Sequence, residues 1–214
     1  MPALASSFLY QPLDALLGRT SHVRVLRVLT QHGGSLTPPD LARRAGLSRR
    51  GAWNAIAELQ AAGVIEPVGA GRSPPYRLAE NHPLSDAVRR LFEGEAARAD
   101  AVVAAVREAA RQLLPPPLAV WLYGSVTRGA DTPASDLDIA LVAEEDVLAR
   151  AQAAQLRNDL VRVSERWAVA PSVISLSRSE LKALQRERRP FWERLVRDAM
   201  PLVGAPAETL EYGD

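Results

Sequence analysis

The 214-residue chain contains no cysteine, one lysine, three histidines and 5% aromatic residues, and these scarcities narrow what it can do. Without cysteine there are no disulfides, no thiolate zinc sites and no cysteine nucleophile. His22, His32 and His82 are isolated from one another, which argues against a histidine-built metal site. No window approaches the roughly 18 to 20 uninterrupted apolar residues of a spanning helix. The opening segment MPALASSFLY has no basic stretch before its short apolar run, so it does not read as a secretory signal. The expectation is a cytoplasmic protein with no membrane partner. What remains is ordinary for a folded chain, with 47% apolar and 24% charged residues in a length that suits one large domain or two small ones.

A net charge of +1 conceals an asymmetry. Residues 1–80 carry nine arginines against five acids, a net of +4, whereas residues 81–214 carry 17 cations against 20 acids, a net of −3. Electrostatic partners respond to such patches rather than to the total.

Apolar residues recur at helical steps through Val23, Leu26, Val28 and Leu29, then Leu41 and Ala45, then Ala52, Ile56 and Leu59. Glycines at Gly33, Gly34, Gly46 and Gly63 stop these three helices. VIEPV and YRLA then flank GAGRSPP, which predicts a β-hairpin. A long helix follows over 84–114, with Gly94 as a candidate kink and Pro115-Pro116-Pro117 as its stop. Beyond it LAVWLYG, DLDIALVA and PSVISLS read as strands, a helix covers 144–167, and 177–200 is helical with an interruption at Pro190. The expected fold class is a two-domain α/β protein: a domain over 1–82, a connecting helix over 83–114, and a mixed sheet flanked by helices over 115–214.

Three helices and a hairpin over roughly 20–80 resemble the winged helix-turn-helix of bacterial transcriptional regulators. Thr37, with Asp40 three residues on, caps the second helix, and Ser48 caps the third. Because Ala52, Ile56 and Leu59 face inward, Ser48, Arg49, Arg50, Trp53 and Asn54 lie outward near the N-terminus of the third helix. In a helix-turn-helix these positions meet bases and phosphates in the major groove. Arg72 stands at the tip of the wing, suited to a minor groove or a phosphate. Double-stranded DNA is therefore the expected partner. The competing reading makes these arginines solvated charges, but it gives an outward Trp53 no purpose.

The most specific stretch is WLYGSVTRGADTPASDLDIA, residues 121–140. Its Gly124, Ser125, Arg128, Gly129, Ser135, Asp136 and Asp138 resemble the signature of the minimal nucleotidyltransferases of the DNA polymerase β superfamily, and the similarity extends over about 84–204. Asp136 and Asp138, two apart on a strand, share one face at roughly 6.5 Å spacing while Leu137 and Ile139 point into the core. Such a pair of hard oxygen anions suits Mg2+ shared with the phosphates of a nucleoside triphosphate. Gly124 admits close backbone approach, the amides opening a following helix and the Ser125 hydroxyl offer donors, and Arg128 offsets phosphate charge. The resemblance also implies a third carboxylate on a later strand, where this chain has Ser172. A neutral hydroxyl does not replace that base, and the nearest acids in sequence, Glu165 and Glu180, flank the strand.

Trp121 and Trp167 are read as packing residues of the sheet, Phe191 and Trp192 as packing of the last helix, the histidines as surface or capping residues, and Arg186, Arg188 and Arg189 as a solvated face. The tail from Gly204 is expected to fray. The alanines Ala96, Ala99, Ala109 and Ala110 of the long helix predict a homodimer through 84–114, with packing on the chain's own domains as the alternative. Together the readings favour a DNA-binding transcriptional regulator whose second domain binds nucleotide and Mg2+ with weak or absent catalysis. Two alternatives stand beside it: an active transferase that passes a nucleotidyl group to a protein or small-molecule acceptor, and a dimerisation scaffold without nucleotide.

Overall fold

The structure, a computed structural model, describes residues 12–210. The opening MPALASSFLY and the last four residues of the tail lie outside the described residues. The chain separates into two compact units that divide between Ala97 and Arg98.

In the first unit a short helix α1 (Pro12–Leu17) precedes α2 (Thr20–His32), α3 (Pro38–Arg44) and α4 (Arg49–Ala61), and the hairpin β1 (Ile65–Pro67) with β2 (Tyr76–Leu78) completes it. Leu26, Leu29, Leu41, Ile56, Leu59 and Ile65 fill the core, so the helical periodicity and the buried faces agree. The Thr37 hydroxyl accepts from the Asp40 amide at 3.4 Å and donates to the Asp40 carboxylate at 2.8 Å. Ser48 Oγ accepts from the Gly51 amide at 3.1 Å and so starts α4. His82 caps, receiving the Leu84 amide at 3.2 Å, and His32 is exposed. His22 departs from the surface role expected of it. It is 3% exposed, hydrogen-bonded through Nδ1 to the Ala15 carbonyl at 2.8 Å, because α1, which the periodicity did not reveal, covers it.

Helix α5 (Ser85–Arg111) is unbroken at Gly94. Its Val88 and Phe92 belong to the core of the first unit, and its Val102, Val106 and Ala110 to a core of the second. Arg27 of α2 donates to both carboxylate oxygens of Glu95 at 2.5 and 2.8 Å and lies 5.4 Å from the centre of the Phe92 ring. The Arg27 hydrogen bond holds Glu95 below the usual carboxylate range. A depressed folded-state value adds stability that is complete above the unfolded glutamate pKa of about 4.3 and is lost as pH falls through the folded one. Glu95→Gln is therefore expected to weaken the acid dependence of unfolding, while at neutral pH it costs less than about 1 kcal/mol because the pair is half exposed. Denaturant titrations of the two proteins at neutral and acid pH, followed by circular dichroism, check this.

The second unit is built on a four-stranded sheet of order β5-β4-β3-β6. Strand β3 (Ala119–Tyr123) pairs antiparallel with β4 (Asp136–Ala143), and β4 pairs parallel with β5 (Ala170–Ser177). Strand β6 (Met200–Gly204) pairs antiparallel with β3 where helix was expected to end. Pro201 is tolerated there because β6 is an edge strand with a bulge at this point. The expected helix over 144–167 is two, α6 (Asp146–Asp159) and α7 (Val161–Trp167), and the last helical segment is α8 (Arg178–Arg186) and α9 (Pro190–Asp198), with Pro190 at the first turn of α9. One sheet face, with Val120, Leu122, Ile139 and Leu141, packs on α5 and α6; the other, with Trp121, Ala140 and Val142, packs on Leu181, Trp192 and Leu195 of α8 and α9. The tail does not fray directly after Gly204: Trp121 Nε1 donates to the Ala205 carbonyl at 2.8 Å and Ala207 is buried.

Candidate functional site

Strand alternation decides where the signature residues go. Ile139 and Leu141 face α5 and α6, so Asp136 and Asp138 share the opposite face, the one on which α8 and α9 pack. The register sets Asp138 opposite Tyr123, the last residue of β3, and leaves Asp136 beyond the end of that strand and exposed.

The chain turns at Gly124, whose φ is +89°, a conformation glycine adopts without strain. A Cβ there would lie 2.1 Å from Asp138 Oδ2. Gly124 is therefore needed twice, for its backbone angle and for the space the carboxylate occupies. The helix expected after Ser125 does not form. Residues 125–129 make a turn closed by Ala130 N–H donating to the Ser125 carbonyl at 3.0 Å and by the Thr127 hydroxyl donating to the Gly124 carbonyl at 3.0 Å. Gly129, at φ +63°, leaves the helical region before a second turn can be added. Anion binding by the start of a helix is thereby removed from the account, leaving the Ser125 hydroxyl and the turn's own amides. Before β4, Ser135 Oγ accepts from the Thr132 amide at 2.9 Å and fixes the approach to Asp136.

Gly124, Ser125, Arg128 and Asp138 line one cavity of about 390 Å3. Tyr123 and three residues of α9, Phe191, Arg194 and Asp198, complete it. None of these four was selected from the sequence as a site residue. Asp198 brings to the cavity an acid that is not among the sequence neighbours of the strand, Glu165 and Glu180. Glu180 instead accepts the Ser177 amide at 2.8 Å in the capping box of α8. The Asp198 side chain is 9% exposed, takes two hydrogen bonds from Arg197 at 2.7 and 3.0 Å, and faces Arg128 at 3.4 Å. Those contacts, Arg197 foremost, hold it below the usual carboxylate range.

Asp138 is displaced the other way: burial and then the neighbouring Asp136 push its carboxyl above the usual range, with Arg128 opposing them. Ser172 is the register partner of Asp138 on β5 and shares its face. Among the described residues no group of three or more His, Asp or Glu is arranged to hold a metal ion. Two carboxylates, one of them uncomfortable as a free anion, still fit magnesium, which binds through one or two carboxylates when phosphates supply further oxygens.

In the first unit Ser48, Arg49, Arg50, Asn54 and Arg72 are exposed, and Trp53 is 43% exposed. Several other arginines of this unit are matched to acids: Arg19 to Glu58, Arg27 to Glu95, Arg43 to Asp40, and Arg77 to Glu66 and Glu80. Arg49, Arg50 and Arg72 form no ion pair with another described residue. Arg24, Arg44 and Arg90 likewise form no ion pair with another described residue, and Arg49, Arg50 and Arg72 place uncompensated charge at the start of α4 and at the hairpin tip.

Residues 17–73 match the MarR family, and residues 103–190 match the nucleotidyltransferase domain. The chain joins a MarR-type winged helix to a nucleotidyltransferase domain. No curated protein matches the chain. The nucleotidyltransferase match stops at the first residue of α9, so the α9 wall of the cavity lies outside it. No described helix is long and apolar enough to cross a membrane.

Proposed function

We propose that this protein is a DNA-binding transcriptional regulator whose nucleotidyltransferase domain binds a nucleoside triphosphate with Mg2+ and transfers little or nothing. The observation that carries the reading is the pairing of Asp138 with Ser172 across β4 and β5. Asp136 and Asp138 would hold magnesium, which supplies charge neutralisation to the phosphates when bound. Gly124, Ser125, Arg128 and the turn ending at Gly129 would hold the phosphates. A base to deprotonate an acceptor is what the site lacks. Asp198 is the one observation on the side of an active transferase, since its carboxylate enters the cavity. Held ionised by Arg197 and Arg128, it is a weak base, and efficient general bases sit near the operating pH.

The DNA reading rests on the uncompensated Arg49, Arg50 and Arg72 with Trp53 and Asn54 between and beside them. Arg72→Ala is expected to flatten the salt dependence of duplex binding by about one unit, since each neutralised phosphate adds a slope of roughly −0.9. Filter binding across a salt series measures it, and an unchanged slope removes the wing from the interface. We place the functional divisions at 1–82, 83–114 and 115–214, with α5 connecting the two activities and supporting a homodimer. Ala110 is fully buried in its own unit and Ala109 partly so, which leaves Ala96 and Ala99 for the contact. Light scattering should return twice the 23.2 kDa chain mass. A concentration-independent value of one chain mass would contradict the dimer.

A further inference from the structure

Helix α9 presents Phe191, Arg194 and Asp198 to the cavity, at steps of three and four residues that place them on one face. Trp192 and Leu195 occupy the buried side, so the packing of α9 on the sheet aims that stripe at Asp138. Phe191 meets Tyr123 edge-on, with ring centres 5.6 Å apart and planes at 80°. An edge-on pair leaves an aromatic face without a stacking partner, and Phe191 is only partly buried. The Arg128 contact lies at the Asp198 end of the stripe, about 10 Å along the helix from Phe191.

We propose that α9 forms the nucleoside side of the site: the base of the bound nucleotide stacks on Phe191, and Arg194 adds a second cation for the phosphates beside Arg128. This rests on the nucleotide reading above and extends it to residues outside the matched segment. The cavity, about 390 Å3, is in the usual range for a small-molecule site, roughly 300 to 1,000 Å3. Its lining combines anion-binding groups at the turn with the aromatic ring of Phe191 on α9. Stacking reads any base face, so the site takes nucleotides as a class, and purines, with the larger face, bind more tightly than pyrimidines.

The test is calorimetry on the full chain with magnesium and two probes, ATP and inorganic tripolyphosphate. Phe191→Leu keeps apolar volume in the packed helix and removes the ring; it should weaken ATP by roughly 5- to 140-fold, the range of base–aromatic stacking, and leave tripolyphosphate unchanged. Phe191→Tyr should restore ATP binding, and Arg194→Ala should weaken both probes. Equal loss of both probes in Phe191→Leu would reduce Phe191 to a packing residue and overturn the proposal. So would unchanged ATP affinity, while tripolyphosphate binding that persists keeps the phosphate site intact. If the native protein binds neither probe, the nucleotide reading itself falls and takes this one with it.

Discussion

Replacing Asp138 with asparagine is expected to abolish the magnesium dependence of triphosphate binding and to cost more than about tenfold in metal-dependent affinity, or about 1.4 kcal/mol. The isostere keeps the shape of the side chain and removes the charge. In the native site a carboxylate raised by burial and by Asp136 is relieved by a cation, and an amide needs no such relief. Metal-free binding should change little or improve, because the nucleotide then faces one anion fewer. Gly124→Ala should be more damaging still. Its Cβ would fall 2.1 Å from Asp138 Oδ2 at a φ of +89°, so the turn or the carboxylate must move. Calorimetry with and without magnesium, on proteins shown by circular dichroism to be folded, measures both. Native-like metal dependence in Asp138→Asn would remove Asp138 from the metal site.

The second large effect concerns DNA. Arg49→Ala with Arg50→Ala removes two cations that no acid compensates, and duplex binding at low salt should fall with a loss of nearly two units of salt slope. If either arginine reads a base edge, a further roughly 1 to 3 kcal/mol is lost on the preferred sequence alone. Arg43→Ala is the control. Its guanidinium is engaged 2.9 Å from Asp40, and its loss should leave the slope nearly unchanged. If the double variant binds like the native protein, the start of α4 is not the reading element.

Much of this was legible because it is local. Thr37 with Asp40, Ser48 with Gly51, and the apolar spacing of α2 to α4 each lie within a few residues, as does the run from Gly124 to Asp138, where strand alternation alone puts two carboxylates on one face. What the sequence withheld depends on distant segments. Strand β6 is five residues with an internal proline, and only the free edge of β3 makes it a strand. Helix α1 was unmarked, so the burial of His22 was unmarked too. Phe191, Arg194 and Asp198 repeat at the steps of any amphipathic helix, and nothing within 190–198 states which way that stripe points. The sheet decides it, by burying Trp192 and Leu195. The failed helix after Ser125 is the reverse case, a motif-based expectation overruled by Gly129 four residues on.

Pyrophosphate release by the full chain, with each of the four ribonucleoside triphosphates and magnesium, tests the regulator reading most directly. Little or no release is expected from the native protein despite nucleotide binding. A gain is expected in Ser172→Asp, which sets a carboxylate in register with Asp138, since general-base assistance is worth about 10² to 10⁴-fold. Robust release by the native protein, lost in Asp136→Ala, would contradict the regulator reading and make this chain an active transferase.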